Sequence, residues 1–157
     1  MRAPEPLSVV HALDSFESTR PQLDAWLKTR ALANETFGAS RTYVLCKSDS
    51  SVVVGFYCLS QGAIGHSQVS SKFRRNMPDP IPVTLLGRLA VGKTWTGKGL
   101  GGAMLQDAVL RSRQVATIVA SRGMLVHALD EEAAGFYQKF GFTRSAALPL
   151  MLVLSFG

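Results

Sequence analysis

The densest chemical signal in the chain lies at residues 85–102. Leu85 to Val91 is an apolar run, and Gly97-Lys98-Gly99-Leu100-Gly101-Gly102 is a glycine-rich turn that opens an amphipathic segment. A strand feeding such a turn and a helix makes an anion pocket. Glycine lets the backbone approach a diphosphate, and the first N–H groups of the helix, at the positive end of its dipole, hold the negative charge. Three diphosphate-bearing ligands compete for this turn.

The first is a nucleoside triphosphate. Gly87-Arg88-Leu89-Ala90-Val91-Gly92-Lys93-Thr94 matches G-x-x-x-x-G-K-[ST] letter for letter, and the apolar residues 125–129 end at Asp130, as a magnesium-holding aspartate would. The pattern fails on context. Arg88-Leu89-Ala90-Val91 continues a strand where a flexible loop is required, and a helix begun at Lys93 would hold Gly97, Gly99, Gly101 and Gly102 in its first turns. Each of these costs roughly 1 kcal/mol against alanine. Only 63 residues follow Thr94, too few for the rest of a parallel nucleotidase sheet. The second is a dinucleotide, since residues 97–102 satisfy G-x-G-x-x-G. The ribose-binding acid is expected ~20 residues further on. Asp130 lies 28 beyond Gly102, and 27 residues remain after it, not enough for a second mononucleotide half.

The third is coenzyme A. Thr96-Gly97-Lys98-Gly99-Leu100-Gly101 resembles the [QR]-x-x-G-x-[GA] turn of the GCN5-related N-acetyltransferases (GNAT fold). The resemblance implies acetyl-CoA as cofactor, with its pyrophosphate on Thr96, Gly97, Lys98, Gly99, Leu100, Gly101 and Gly102. It also implies a pantetheine arm paired with the strand Leu89, Ala90, Val91, and adds Phe136 to the cofactor-binding set. Thr96 stands where the family has Gln or Arg, and Lys98 could supply the missing cation. Further stretches resemble the TacT-like GNAT toxins of bacterial type II toxin–antitoxin pairs. They are residues 73–83 (Phe73-Arg74-Arg75-Asn76-Met77-Pro78-Asp79-Pro80-Ile81-Pro82-Val83), 86–91, 38–42, 122–128 and 134–142. Those toxins acetylate the α-amine of aminoacyl-tRNA and stop translation. The resemblance further implies a homodimer, a cognate ribbon–helix–helix antitoxin, and operator DNA reached only through the toxin–antitoxin complex.

Acetyl transfer from a thioester to an amine needs a neutral amine, a stabilised oxyanion and a protonated leaving thiolate. Tyr137 is the candidate general acid, and the resemblance implies that role; by itself it is also a packing aromatic between Phe136 and Phe140. The resemblance gives the Val91 N–H as oxyanion donor. Residues 85–91 contain no Asp or Glu, so the strand offers no carboxylate base. A lysine amine (pKa ≈ 10.4) would need such a base, whereas an α-amine (pKa ≈ 7.7–8.0) is partly neutral already. His127 either assists or is a satisfied core histidine. Phosphate contacts to a tRNA fall to Arg74 and Arg75, adjacent arginines on an irregular segment where a packing role is not expected, and to Arg88, Lys28, Arg30 and Arg41. Other readings are acetylation of a small amine or a protein N-terminus, and a nucleic-acid-binding module that has lost catalysis.

These residues need a frame. The chain is expected to be one α/β (mixed α+β) domain over 1–157, with hairpins first and then strand–helix–strand–helix–strand. The resemblance implies the acyl-CoA N-acyltransferase fold, a largely antiparallel sheet splayed at the cofactor-binding strand and flanked by helices. Strands are expected at residues 7–13, 41–46, 51–60 (continued over 63–68 past a bulge near Gly62), 83–91, 124–129 and 148–156. Helices are expected after Pro21, within 31–40, over 99–119 either continuous or broken near Arg113, with apolar positions Leu100, Met104, Ala108 and Val115, and from the cap Asp130 to Phe140, stopped at Gly141.

Composition bounds the rest. The chain of 157 residues is 46% apolar and carries a net charge of +6. From Lys72 to Arg122, nine basic residues face only Asp79 and Asp107, a surplus of seven that points to a polyanionic partner. No signal peptide and no membrane span are expected, and a cytoplasmic location is expected with them. Cys46 and Cys58 are expected as buried thiols in a reducing compartment, and no metal site is expected because no histidine is near them in sequence.

Overall fold

Glu5–Pro6 (β1), Arg41–Cys46 (β2) and Val53–Ile64 (β3) pair antiparallel in that order, with Tyr43 opposite Tyr57 and the ladder slipping between Leu45 and Cys46. The polar turn at 47–50 closes the β2–β3 hairpin as expected. The computed structural model describes residues 1–157. Its remaining elements are helices Pro21–Thr29 (α1), Ala31–Phe37 (α2), Ser71–Arg74 (α3), Leu100–Val115 (α4) and Glu131–Lys139 (α5), and strands Ile81–Val91 (β4), Gly123–His127 (β5), Thr143–Arg144 (β6) and Met151–Ser155 (β7). The seven strands run in the order β1-β2-β3-β4-β5-β7-β6. The chain forms two compact units, residues 1–60 with 87–108 and residues 61–86 with 109–157, and β3, β4 and α4 contribute residues to both.

In the first unit, α1 starts on Pro21, whose missing N–H costs nothing in a first turn. Leu23 and Leu27, one helical turn apart, are buried. Asp24 is buried with them. Its carboxylate accepts the Ser18 N–H (2.9 Å) and hydroxyl (2.6 Å), which fastens the segment before the helix. Gly38 ends α2 in the left-handed region at φ 73°. The core gathers Leu13, Phe16, Leu27, Val44, Phe56 and Ala90. Phe16 meets Phe56 edge-on at 5.5 Å, and Trp26 stacks on Phe56 at 6.1 Å.

In the second unit, β4 pairs parallel with β5 from Thr84 opposite Met124 to Leu86 opposite Val126. A parallel pair needs a crossover, which α4 provides. β5 pairs antiparallel with β7, from Gly123 opposite Ser155 to His127 opposite Met151, and β6 adds to β7. Phe73, Ile81, Val83, Leu125, Met151 and Val153 form this core. The Asp130 carboxylate accepts the Ala133 N–H at 2.9 Å and caps α5, and Gly141 leaves the helix at φ 94°, as expected from sequence. No helix is long and apolar enough to cross a membrane.

Four expectations are corrected. Residues 7–13 are not a strand. The chain turns at Ser8–His11, with Val9 and Val10 exposed, because the His11 N–H bonds to the Ser8 carbonyl and the Ser8 N–H to His11 Nδ1. α4 runs unbroken through Arg113 but ends at Val115, short of the expected 119, and Val115, expected among its apolar positions, is exposed. β3 ends at Ile64, and a 3₁₀ turn at His66–Gln68 replaces its expected continuation. Residues 148–150 lie outside β7, and the two-residue β6 went unread because so short a strand has no periodicity.

Gly123 is a point of close approach within the second unit, where an added Cβ would lie 2.2 Å from the Leu154 carbonyl oxygen. Gly123→Ala is therefore expected to destabilise by at least ~2 kcal/mol. Gly135→Ala, on α5 with nothing within 4 Å of the new methyl, is expected to stabilise by up to ~1 kcal/mol. Urea unfolding of both variants checks the pair.

Candidate coenzyme and acyl-transfer site

The first unit builds the glycine turn. At the end of β4, Leu89 and Val91 are half-buried and Ala90 is buried. The Gly92 N–H donates to the Val54 carbonyl (2.8 Å) and the Lys93 N–H to the Glu17 carbonyl (2.8 Å), so the chain leaves the sheet at a fixed point. A 3₁₀ turn at Lys93–Trp95 follows. Gly97 and Gly99 then adopt φ 76° and 77°, values that side-chain-bearing residues rarely reach, and nothing lies within 4 Å of where their Cβ atoms would be. α4 begins at Leu100, with the Ala103 N–H on the Gly99 carbonyl at 3.1 Å. Helix geometry leaves the amides of Leu100, Gly101 and Gly102 without acceptors in their own helix. Helix N-terminal amides preceded by two glycines with open space around them suit a diphosphate.

Thr96 is exposed, and its hydroxyl donates to the Lys93 carbonyl at 3.0 Å, so its one hydroxyl proton serves the turn itself. Lys98 is exposed on the turn. The triphosphate reading fails on geometry as it does on sequence. Gly87 to Val91 are strand, and the Lys93 ammonium is paired with the Glu17 carboxylate. The same lysine, by its hydrogen bond, holds the Glu17 carboxyl below its ordinary pKa.

Four of the expected RNA-binding residues also lie in this unit. Arg88 is half-buried, with its guanidinium 4.2 Å from the centre of the Trp26 ring, a cation–π contact that the sequence does not signal. Arg41 is exposed and pairs with the Glu35 carboxylate at 3.0 Å. Lys28, in the last turn of α1, and Arg30, between α1 and α2, are exposed.

The second unit holds the candidate acid. Tyr137 is 6% exposed on α5, its ring 5.1 Å from Phe136 and 5.5 Å from Phe142. The Tyr137 carbonyl accepts the N–H groups of Phe140 (3.0 Å) and Phe142 (3.2 Å), which fixes the end of the helix. Phe136 is half-buried and also meets Phe140. His127 is exposed at the end of β5, so it is not a core histidine.

Arg75 is exposed. Arg74 does have a structural role, against the expectation for adjacent arginines. It ends α3, is half-buried, and donates to the carbonyls of His66 (3.0 Å) and Val69 (3.2 Å). Arg122, unread as a structural residue in the sequence, similarly donates to the Phe73 and Lys72 carbonyls.

Cys46 and Cys58 are free, buried thiols, and burial pushes both above the ordinary thiol pKa. Folding does bring a histidine to Cys46, contrary to the sequence reading: one ligand atom each from Glu5, His11 and Cys46 lies within 4.8 Å of the others. Its chemistry disfavours a metal. His11 Nδ1 accepts the Ser8 N–H at 3.0 Å, which puts the ring proton of the neutral imidazole on Nε2, and the Arg2 guanidinium occupies the Glu5 carboxylate at 2.7 Å.

The Acetyltransferase (GNAT) domain family matches residues 39–144. The chain belongs to the GNAT family. A protein of Mycobacterium tuberculosis named tRNA-acetylating toxin is 46% identical, over 97% of this chain and 90% of its own. Among solved structures, AtaT complexed with acetyl-methionyl-tRNAfMet superposes with TM-score 0.91 at 24% identity, covering 98% of this chain and 94% of that one. AtaTR bound with AcCoA superposes with TM-score 0.85 at 26% identity, covering 98% and 92%. This GNAT chain is expected to show no thiol reactive toward Ellman's reagent near pH ~8 while native, and both once denatured. A native thiol titrating within minutes would contradict the burial of Cys46 and Cys58.

Proposed function

We propose that this protein is an acetyl-CoA-dependent N-acetyltransferase that acetylates the α-amine of aminoacyl-tRNA and so acts as a translation-blocking toxin. The observation that carries the reading is the 46% identity, over nearly the whole chain, to a tRNA-acetylating toxin. The open space at Gly97 and Gly99 before the start of α4 and the absence of acidic residues from 85–91 support it. The family match spans residues in both compact units, which supports one catalytic domain.

Acetyl-CoA supplies an activated acetyl thioester. The amides of Leu100, Gly101 and Gly102 hold the diphosphate, with the exposed Lys98 ammonium as a further cation and Gly97 and Gly99 leaving room for its approach. Leu89, Ala90 and Val91 offer backbone groups to the pantetheine arm, and the Val91 N–H stabilises the oxyanion. Tyr137 holds the proton destined for the leaving thiolate, its ring fixed by Phe136 and Phe142. An α-amine, already partly neutral near pH 7–8, needs no strong base. The exposed cations Arg75, Lys28, Arg30 and Arg41 are proposed phosphate contacts. Arg74 and Arg88 join them through charge that their structural bonds leave in place. A homodimer, a ribbon–helix–helix antitoxin, and operator DNA bound through the toxin–antitoxin complex complete the proposal, in a cytoplasmic setting.

Purified protein incubated with labelled acetyl-CoA and charged tRNA is expected to move label onto the aminoacyl group; label confined to free amines or proteins would overturn the reading. Tyr137→Phe is expected to lower turnover 10²- to 10⁴-fold, the usual range for a lost general acid. Arg75→Glu is expected to weaken tRNA binding and flatten its dependence on salt, while leaving coenzyme affinity unchanged.

A further inference from the structure

We infer that the hydrogen bond from the Tyr57 hydroxyl to the Asp107 carboxylate sets the position of the Leu100–Gly102 amides, making Tyr57 and Asp107 positioning residues for the coenzyme. The inference rests on the reading of the glycine turn as the coenzyme's diphosphate site. Tyr57 is completely buried in β3, and its ring stacks on Tyr43 of β2 at 5.2 Å with the planes 22° apart. Its hydroxyl reaches Asp107 Oδ2 on α4. Two residues earlier, on the same face of the strand, Gly55 leaves a notch: a Cβ there would lie 3.0 Å from Met104 Cε and 3.1 Å from Sδ. Met104 and Asp107 are three apart and so share a face of α4. The strand therefore holds the helix at two places, one apolar and one polar.

The two contacts differ in what they fix. A methionine in a notch resists separation but tolerates sliding and rotation, because the contact is non-directional and the side chain flexible. A hydrogen bond to a carboxylate is short and directional, and sets both height and rotation of the helix. Asp107 follows Leu100 by about two helical turns, ~10 Å, and a helix transmits displacement over that distance as a rigid rod. All of these groups belong to the first compact unit, as does the turn.

The test uses the full chain, with coenzyme A as the calorimetric probe and acetyl transfer to charged tRNA as the kinetic one. Tyr57→Phe is expected to raise the coenzyme dissociation constant and the KM for acetyl-CoA together, by about tenfold, the scale of one lost hydrogen bond to a charged group. kcat and the KM for tRNA are expected to stay within about twofold. Asp107→Asn keeps an acceptor oxygen and is expected to lose less. The double variant is expected to lose less than the sum of the two single losses. Unchanged coenzyme affinity in Tyr57→Phe, even with lowered thermal stability, would overturn the inference, as would a fall in kcat at constant KM. Should Tyr57→Phe fail to fold, unchanged affinity in Asp107→Ala, which removes the acceptor, overturns it equally. Failure of the unsubstituted protein to bind coenzyme A would instead refute the assignment of the turn.

Discussion

Three backbone amides at the start of α4 have no acceptor in their own helix, and much of the first unit holds them in place. The chain can reach Leu100 only through two residues in the left-handed region, which is why Gly97 and Gly99 stand where they do. Upstream, the N–H groups of Gly92 and Lys93 are tied to the carbonyls of Val54 and Glu17, so the strand delivers the turn at a defined height. Downstream, Met104 and Leu105 are buried and anchor the helix. Backbone groups need no rotamer to be frozen on binding, so a site made of them, as proposed for this turn, would carry a small entropic cost.

Charge is a second theme. The segment from Lys72 to Arg122 holds a surplus of seven positive charges, yet the structure commits several of them internally. Arg74 and Arg122 bind backbone carbonyls, Arg88 covers Trp26, Lys93 pairs with Glu17, and Arg113 donates to the Phe156 carbonyl at 2.9 Å. Arginine suits such work because its planar fork satisfies two carbonyls at once and keeps its charge. The net charge therefore measures the field around the molecule better than it counts side chains available to touch a phosphate.

What the sequence disclosed, it disclosed locally. The Asp130 cap, the Gly141 stop, the 47–50 hairpin turn and the glycine turn are each written within a few consecutive residues, and each is found where expected. What it hid depends on partners distant along the chain. Residues 7–13 have the composition of a strand, but a turn made by His11 wins. Nothing around Tyr57 announces Asp107, fifty residues on. Arg74 looks like a surface arginine until His66 and Val69 present their carbonyls to it. For the site, the turn's conformation was legible from glycine spacing, whereas which cations are spent on structure was not, because that is decided by tertiary packing.

The Thr96 hydroxyl, folded back onto the Lys93 carbonyl, has a bearing on how such a protein tolerates change over evolutionary time. A grip that resides in main-chain atoms is beyond the reach of most single-codon exchanges, because peptide bonds are common to all residues. Position 96 is thus freer to drift than a side-chain ligand would be. If the turn holds the diphosphate as proposed, replacing glycine at 97 or 99 would be one heritable way to weaken that hold, since any new side chain there has to enter a strained backbone conformation.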